Sequence, residues 1–289
     1  MSIAIAGSSG NLGRRTADFL LERVDPRELV LVTRDPAKLD SYAAHGVEVR
    51  HGDFDSPESL PAAFKGIERL LLISATDIGR RVAQHQAAID AARAAGVRHV
   101  AYTSITDPSE TNPVVVAADH RATEEALRAS GMAWTFLRHS IYAEVQAGAI
   151  LGSLASGRFV HNAGDGVCAY VAREDCAAVA AAVLSSEGHA FQAYDVTGPE
   201  LLTADDMARV VREATGTTIR ADAVDDEAYA AGLVANAGLP ADVAASLATF
   251  GQAVRQGHHA QLSDVVERLT GRRPIPFADV LAANTRVAA

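Results

Sequence analysis

Lysine is almost missing from this chain of 289 residues: it occurs at Lys38 and Lys65 and nowhere later. All other basic residues are arginines, so no chemistry that needs a lysine ammonium can be placed beyond residue 65. Cysteine is equally scarce. Cys168 and Cys176 fit no metal motif and no disulfide framework, which points to a reducing, cytoplasmic setting. Long apolar runs are lacking too; the stretch from Cys176 to Leu184 is far too short to span a membrane. Met1 leads straight toward an apolar strand, without a charged leader or cleavable segment. Positive charge is in deficit, and a formal net charge of −10 argues against nucleic acid as a generic partner. The remainder, 48% hydrophobic and 21% charged, is that of an ordinary globular protein with a substantial core.

The first half alternates short β-rich runs with helical patterns. Strands are expected at Ile3–Ala6, Leu29–Thr33, Val47–Arg50, Arg69–Ile73, His99–Thr103 and Trp134–Leu137. Near-continuous apolar runs among them suit a parallel sheet covered on both faces. Asp35-Pro36 and Ser56-Pro57 read as helix N-caps with proline behind them, and Gly96 and Gly131 as glycines closing two helices. After residue 150 the rhythm loosens: a strand is expected near 191–197, a helix from Thr203, and alanine-rich helix over Glu227–Phe250. The expected fold is α/β, a Rossmann-type doubly wound parallel sheet with a smaller C-terminal α/β lobe. Residues 1–150 form the dinucleotide-binding domain and 151–289 the substrate lobe, with the 191–197 strand returning to the main sheet.

Between the first strand and first helix stands Gly7-Ser8-Ser9-Gly10-Asn11-Leu12-Gly13. Gly7 lets the chain bend, Gly10 clears a path for a pyrophosphate, and Gly13 allows helix and strand to pack closely. The spacing is G-x-x-G-x-x-G, not the G-x-G-x-x-G of the usual dinucleotide fingerprint; its place between strand and helix carries the reading. A fold that prefers NAD ends its second strand on an acid. This strand ends on Arg34, which offers a fork of donors to a 2′-phosphate, with Lys38 a helical turn on. NADPH is therefore expected ahead of NADH, which remains an alternative. The plainer reading of Arg34 is a solvated arginine opening a loop, and Asp35 speaks against the phosphate. Asp53 either meets the adenine amino group or caps the next helix. Ser74, Ala75 and Thr76 are small enough for the nicotinamide half to lie near the backbone.

Ile89–Ser104, together with Leu70–Ser74, His120–Arg138, Ala163–Gly166 and Leu269–Arg272, resembles the NmrA-like branch of atypical short-chain dehydrogenases/reductases. Within that branch the whole chain looks like the type 2 NAD(P)H:quinone oxidoreductases. The resemblance implies an enzyme that reduces a small-molecule quinone, with a cofactor and substrate pocket formed by Leu137–Tyr142. His139 and Tyr142 inherit that role, although His139 stands where asparagine is expected; either could instead be a satisfied polar residue at the lobe junction. Ser104, like Thr103, either binds a quinone oxygen or caps a turn. Tyr142, His139 and Ser104 are thus the catalytic candidates, and no metal is expected. His258-His259 reads as solvated loop.

Ordinary short-chain reductases protonate their substrate with a Tyr-x-x-x-Lys pair. Here the lysine position carries His120 and the tyrosine position Val116. Reducing a ketone makes an alkoxide whose conjugate acid has a pKa of roughly 16. Reducing a quinone makes a phenolate-like anion of pKa about 10, which eases anion formation by about 8 kcal/mol. Loss of the pair therefore suits quinone reduction, or else a non-catalytic NADP(H)-binding redox sensor. An azo dye or activated alkene is a more distant acceptor, and a homodimer is left open.

Overall fold

The computed structural model describes residues 1–288. Its first half runs β1 (Ile3–Ala6), α1 (Asn11–Leu21), β2 (Leu29–Thr33), α2 (Asp40–Ala43), β3 (Glu48–His51), α3 (Leu60–Ala63), β4 (Arg69–Leu72), α4 (Arg81–Ala94), β5 (His99–Ile105), α5 (Ala117–Ala129) and β6 (Ala133–His139). There follow α6 (Ala143–Gly152), β7 (Arg158–His161), α7 (Arg173–Ser185), β8 (Gln192–Val196), α8 (Ala204–Thr215) and β9 (Arg220–Ala223). The chain closes with α9 (Asp226–Ala237), α10 (Ala241–Arg255), α11 (Val265–Thr270) and α12 (Phe277–Ala288).

Seven strands pair in parallel in the order β3-β2-β1-β4-β5-β6-β8, a Rossmann-type sheet. β1, β2 and β4 are buried along their whole length, as strands must be when helices cover both faces. Alternation then sorts the side chains. Ile3, Ile5, Leu29 and Leu31 face α1 and α7, whereas Ala4, Ala6, Val30 and Val32 face α3 and α4 on the other side.

The apolar run Cys176–Leu184 lies in α7, where every residue from Asp175 to Leu184 is buried. The helix packs against α1 and under β4, β5, β6 and β8. Its alanines let it approach closely, and a helix apolar on all sides is one enclosed by protein. Among the described residues no helix is long and apolar enough to cross a membrane. The expected returning strand is β8, which joins the edge of the sheet beside β6. After residue 150, then, α7 and β8 are built into the main sheet layer. A separate core unites α6, α8 and α12 with Phe159, Tyr170 and Phe277 in the lobe.

Two local expectations need correction, and one small sheet was not expected. β7 and β9 form a small parallel sheet that the sequence does not announce, because both are short, charged and partly exposed. The helical stretch Glu227–Phe250 is two helices, broken where Gly238 takes φ +65 and Pro240 follows. Asp35 and Ser56 make no side-chain caps and lead only into 3-10 turns. Gly96 and Gly131 do close their helices in the left-handed region, at φ +80 and +79.

Ala180→Leu should destabilise the fold by about 1–3 kcal/mol, because α7 has no room for added methylenes. Urea unfolding reads this as a lower midpoint at unchanged slope; an unchanged midpoint would contradict the enclosed helix.

Candidate active site

The carboxyl ends of β1 to β4 open on a groove of about 290 Å³. Of the residues expected to bind a dinucleotide, Gly7, Ser9, Gly10, Arg34, Asp53, Ser74, Ala75 and Thr76 line it together. Gly7 sits at φ +86, and a Cβ on Gly13 would come within 2.6 Å of the Gly7 oxygen and of Ser8 Cα, so the fold itself demands both glycines. A Cβ on Gly10 would meet only the Gly7 oxygen, at an ordinary 3.5 Å. Packing does not require that glycine, and its backbone lies on the groove wall. Gly10 is also the N-cap of α1, with no side-chain cap and no acid in the first turn. The first-turn N–H groups thus remain available to an anion such as a pyrophosphate.

The other expected groups divide. Ser8 is buried and donates to the Val32 carbonyl at 2.9 Å, tying the loop to β2. Asn11 is exposed and Leu12 buried, so at the start of α1 their backbone is what they have to offer. Arg34 is exposed on the groove wall. Lys38 lies outside that wall and pairs with Asp35 at 3.8 Å. Arg14, which no motif marks, donates to the Ser9 and Lys38 carbonyls at 3.0 and 2.8 Å and braces this corner. The Asp53 carboxylate accepts from the Asp55 N–H at 3.0 Å, so it shapes the local turn while standing in the groove. Gln84 on α4 donates to Asp55 at 2.8 Å, which leaves its buried Oε1 without a partner beside the groove.

Ser74 is shared with a second cavity of about 440 Å³, between the ends of β5 and β6 and the lobe. Its walls are mostly apolar, including Ile141, Val145, Phe159, Met207 and Phe250. Ser104, His120, His139 and Tyr142 all face it. Arg81 is the one Arg, Lys, Asp or Glu on the wall.

Hydrogen bonds assign the protons here. The Ala75 N–H donates to His85 Nε2 at 2.9 Å, so His85 carries its proton on Nδ1 and donates it to Thr123 at 2.8 Å. Tyr102 therefore has His120 Nδ1, at 2.8 Å, as the acceptor for its hydroxyl. That leaves the His120 hydrogen on Nε2, as a neutral donor on the cavity wall. Burial holds His120 well below the ordinary histidine pKa and brings His85 and His139 down to about 3. His120 is 5% exposed.

None of the three catalytic candidates is poised as an acid. Ser104 gives its proton to Glu124 at 2.8 Å, and Glu124 is itself held by Arg138 at 2.7 Å. Tyr142 lies 3.0 Å from His139 Nδ1, and desolvation raises the phenol's pKa, the opposite of what a lysine neighbour does. His139 Nε2 is buried without a partner. His258-His259 is not solvated loop: His259 is 1% exposed and bonds Thr106 at 2.9 Å, and His258 binds Asp107 at 2.6 Å. They clasp the segment after β5 to the segment after α10, a pairing distant in sequence. Among the described residues no cluster of three metal-ligating side chains occurs.

A parallel sheet with a glycine turn and uncapped helix at its switch point is the architecture of a dinucleotide-binding protein, here opening beside an apolar cavity. Residues 7–187 match the family model described as NAD(P)H-binding. Over 277 residues the chain is 34% identical to quinone oxidoreductase 2 of Escherichia coli, covering 96% of each. The crystal structure of the NADPH-dependent quinone oxidoreductase of Escherichia coli with NADPH has a TM-score of 0.94, at 34% identity, over 98% of this chain and 99% of that one. Citrobacter sp. triphenylmethane reductase with NADP(H) gives 0.90 at 34% identity, over 98% and 99%. NAD(P)H azoreductase of Xenophilus azovorans is 28% identical over 282 residues, covering 98% and 97%. The chain belongs to the NAD(P)H-binding family, among its NmrA-like oxidoreductases.

Gly10→Ala should leave stability within about 0.5 kcal/mol yet weaken NADPH binding more than tenfold, roughly. Thermal melts and cofactor titration separate the two; undiminished affinity would remove Gly10 from the phosphate path. Arg34→Ala should weaken NADPH roughly ten- to a hundredfold while sparing NADH. Equal losses for both cofactors would end the 2′-phosphate assignment.

Proposed function

We propose that this protein is an NADPH-dependent quinone reductase that transfers one hydride without a side-chain proton donor. One observation carries the reading: an apolar cavity meets the dinucleotide groove at Ser74, and no group on its wall is set up as an acid. A redox sensor has no need of such an acceptor chamber.

When bound, NADPH supplies the hydride. Gly10 and the α1 N-terminus would take its pyrophosphate, Arg34 its 2′-phosphate, and Ser74, Ala75 and Thr76 the backbone beside the nicotinamide. The residues of this chain then have three tasks. The apolar walls select a flat, uncharged acceptor and exclude water from it. His120 offers its Nε2–H to an acceptor oxygen, oriented by the Tyr102 hydroxyl behind it. His139 and Tyr142, bonded to each other, form a second neutral polar edge. No proton is needed at the moment of reduction, because a hydroquinone anion is about as stable as a tyrosinate; water supplies it afterwards.

The lobe elements outside α7 and β8 cover the acceptor, and residues between Ala6 and Gln84 line the groove. The two buried free cysteines suit work in the cytoplasm. A net charge of −10 offers nucleic acid no attraction, and a homodimer is compatible with this surface.

NADPH oxidation with a small benzoquinone tests the assignment; no turnover across a panel of quinones would overturn it. Tyr142→Phe should lower kcat less than about tenfold, whereas losing a true general acid costs roughly 10²–10⁴. Burial keeps His85, His120 and His139 neutral and Tyr102 and Tyr142 protonated, so kcat should be flat between about pH 6 and 9. A titrating step in that range would reveal an acid that the structure does not contain.

A further inference from the structure

Arg81 begins α4 and is 7% exposed. Its Nε donates to the Ala75 carbonyl at 2.6 Å, and its Nη1 is buried with no partner. It joins no ion pair among the described residues; Asp119 attracts it from α5 without reaching pairing distance. The other polar groups on the wall bring no negative charge: His120 and His139 are neutral, Tyr142 is protonated, and Ser104 is committed to Glu124. The cofactor phosphates do not account for this charge either, since Arg81 lines the acceptor cavity and not the dinucleotide groove. Asp119 Oδ2 is also buried with no partner, so the one nearby carboxylate leaves the guanidinium unpaired. A buried guanidinium without an ion-pair partner is costly, and the amino end of α4 adds positive potential in the same place. Such a site is complete only when an anion arrives.

We propose that Arg81 binds the oxyanion that forms on a quinone-type acceptor as it is reduced, replacing the proton of a tyrosine–lysine pair with a fixed positive charge. The inference rests on the quinone reading above. A quinone enters neutral and gains little from a cation. Acquiring a hydride, two electrons with one hydrogen, turns it into the hydroquinone monoanion while the dinucleotide is oxidised. Arg81 keeps all its protons, and water later delivers the one that completes the hydroquinone. The attraction is therefore far stronger after reduction than before, and only such differential binding speeds the chemical step.

The probe is 4-nitrophenol, whose ionisation is visible by absorbance, titrated into the NADP⁺-loaded protein at pH values above and below its own ionisation. Wild type should bind the phenolate more tightly than the phenol. Arg81→Gln should weaken the phenolate roughly ten- to a hundredfold while leaving the neutral phenol and NADPH unchanged, and Arg81→Lys should recover part of the loss. Wild type without a preference for the phenolate overturns the proposal before any variant is made, as does an Arg81→Gln protein that still binds cofactor and keeps its phenolate affinity. If Arg81→Gln does not fold, Arg81→Met, which keeps the long stem and drops the charge, decides: lost phenolate preference there supports the proposal, and undiminished phenolate affinity overturns it. Phenolate binding without turnover of any quinone would sink the quinone assignment and leave this anion site standing.

Discussion

Parallel pairing puts the carboxyl ends of every strand of a sheet on one side. In this protein that edge supplies the Gly7 turn after β1, Arg34 after β2, Asp53 after β3, Ser74 after β4, Ser104 within the end of β5 and His139 at the end of β6. Residues more than a hundred positions apart reach one crevice because each ends a strand or follows one. The order β2-β1-β4 reverses the direction of chain progression at β1, and helices on opposite faces part there. The glycine turn and uncapped α1 occupy that gap. The lobe then closes the far end and converts an open groove into a groove with a chamber.

The chamber owes its chemistry to how its polar groups are already engaged. Glu124 absorbs the proton of Ser104 and the charge of Arg138 and Arg128. Ala75 fixes the tautomer of His85, which in turn directs the hydroxyl of Tyr102 to His120. What survives on the wall is a set of neutral donors and one cation. A surface of this kind stabilises negative charge without passing a proton, so it favours acceptors that hold their own charge once reduced.

Much of this was legible in the residues. The three glycines announced the turn, and the structure separates them: Gly7 and Gly13 are demanded by backbone geometry, whereas the fold leaves room for a side chain at Gly10. Strands with buried residues throughout were readable because hydrophobic burial dominates their composition. β7 and β9 were not, since their pairing depends on neighbours distant in sequence, including Arg158 and Asp222. His258-His259 misled for the same reason: a histidine pair after a helix looks solvated until a remote aspartate and threonine close on it. Arg81 and Gln84 carry no local signal at all. An arginine in a helical pattern is ordinarily solvated, and only the folded chain shows that this one is buried outside any ion pair among the described residues.

The central claim is that reduction proceeds without simultaneous proton transfer. Single-turnover rates with NADPH deuterated at the transferred nicotinamide C4 position, measured in H₂O and in D₂O, test it most directly. The account predicts a primary isotope effect from the cofactor deuterium and none from the solvent on the same step. A solvent effect that accompanies hydride transfer would show an acid at work and contradict it.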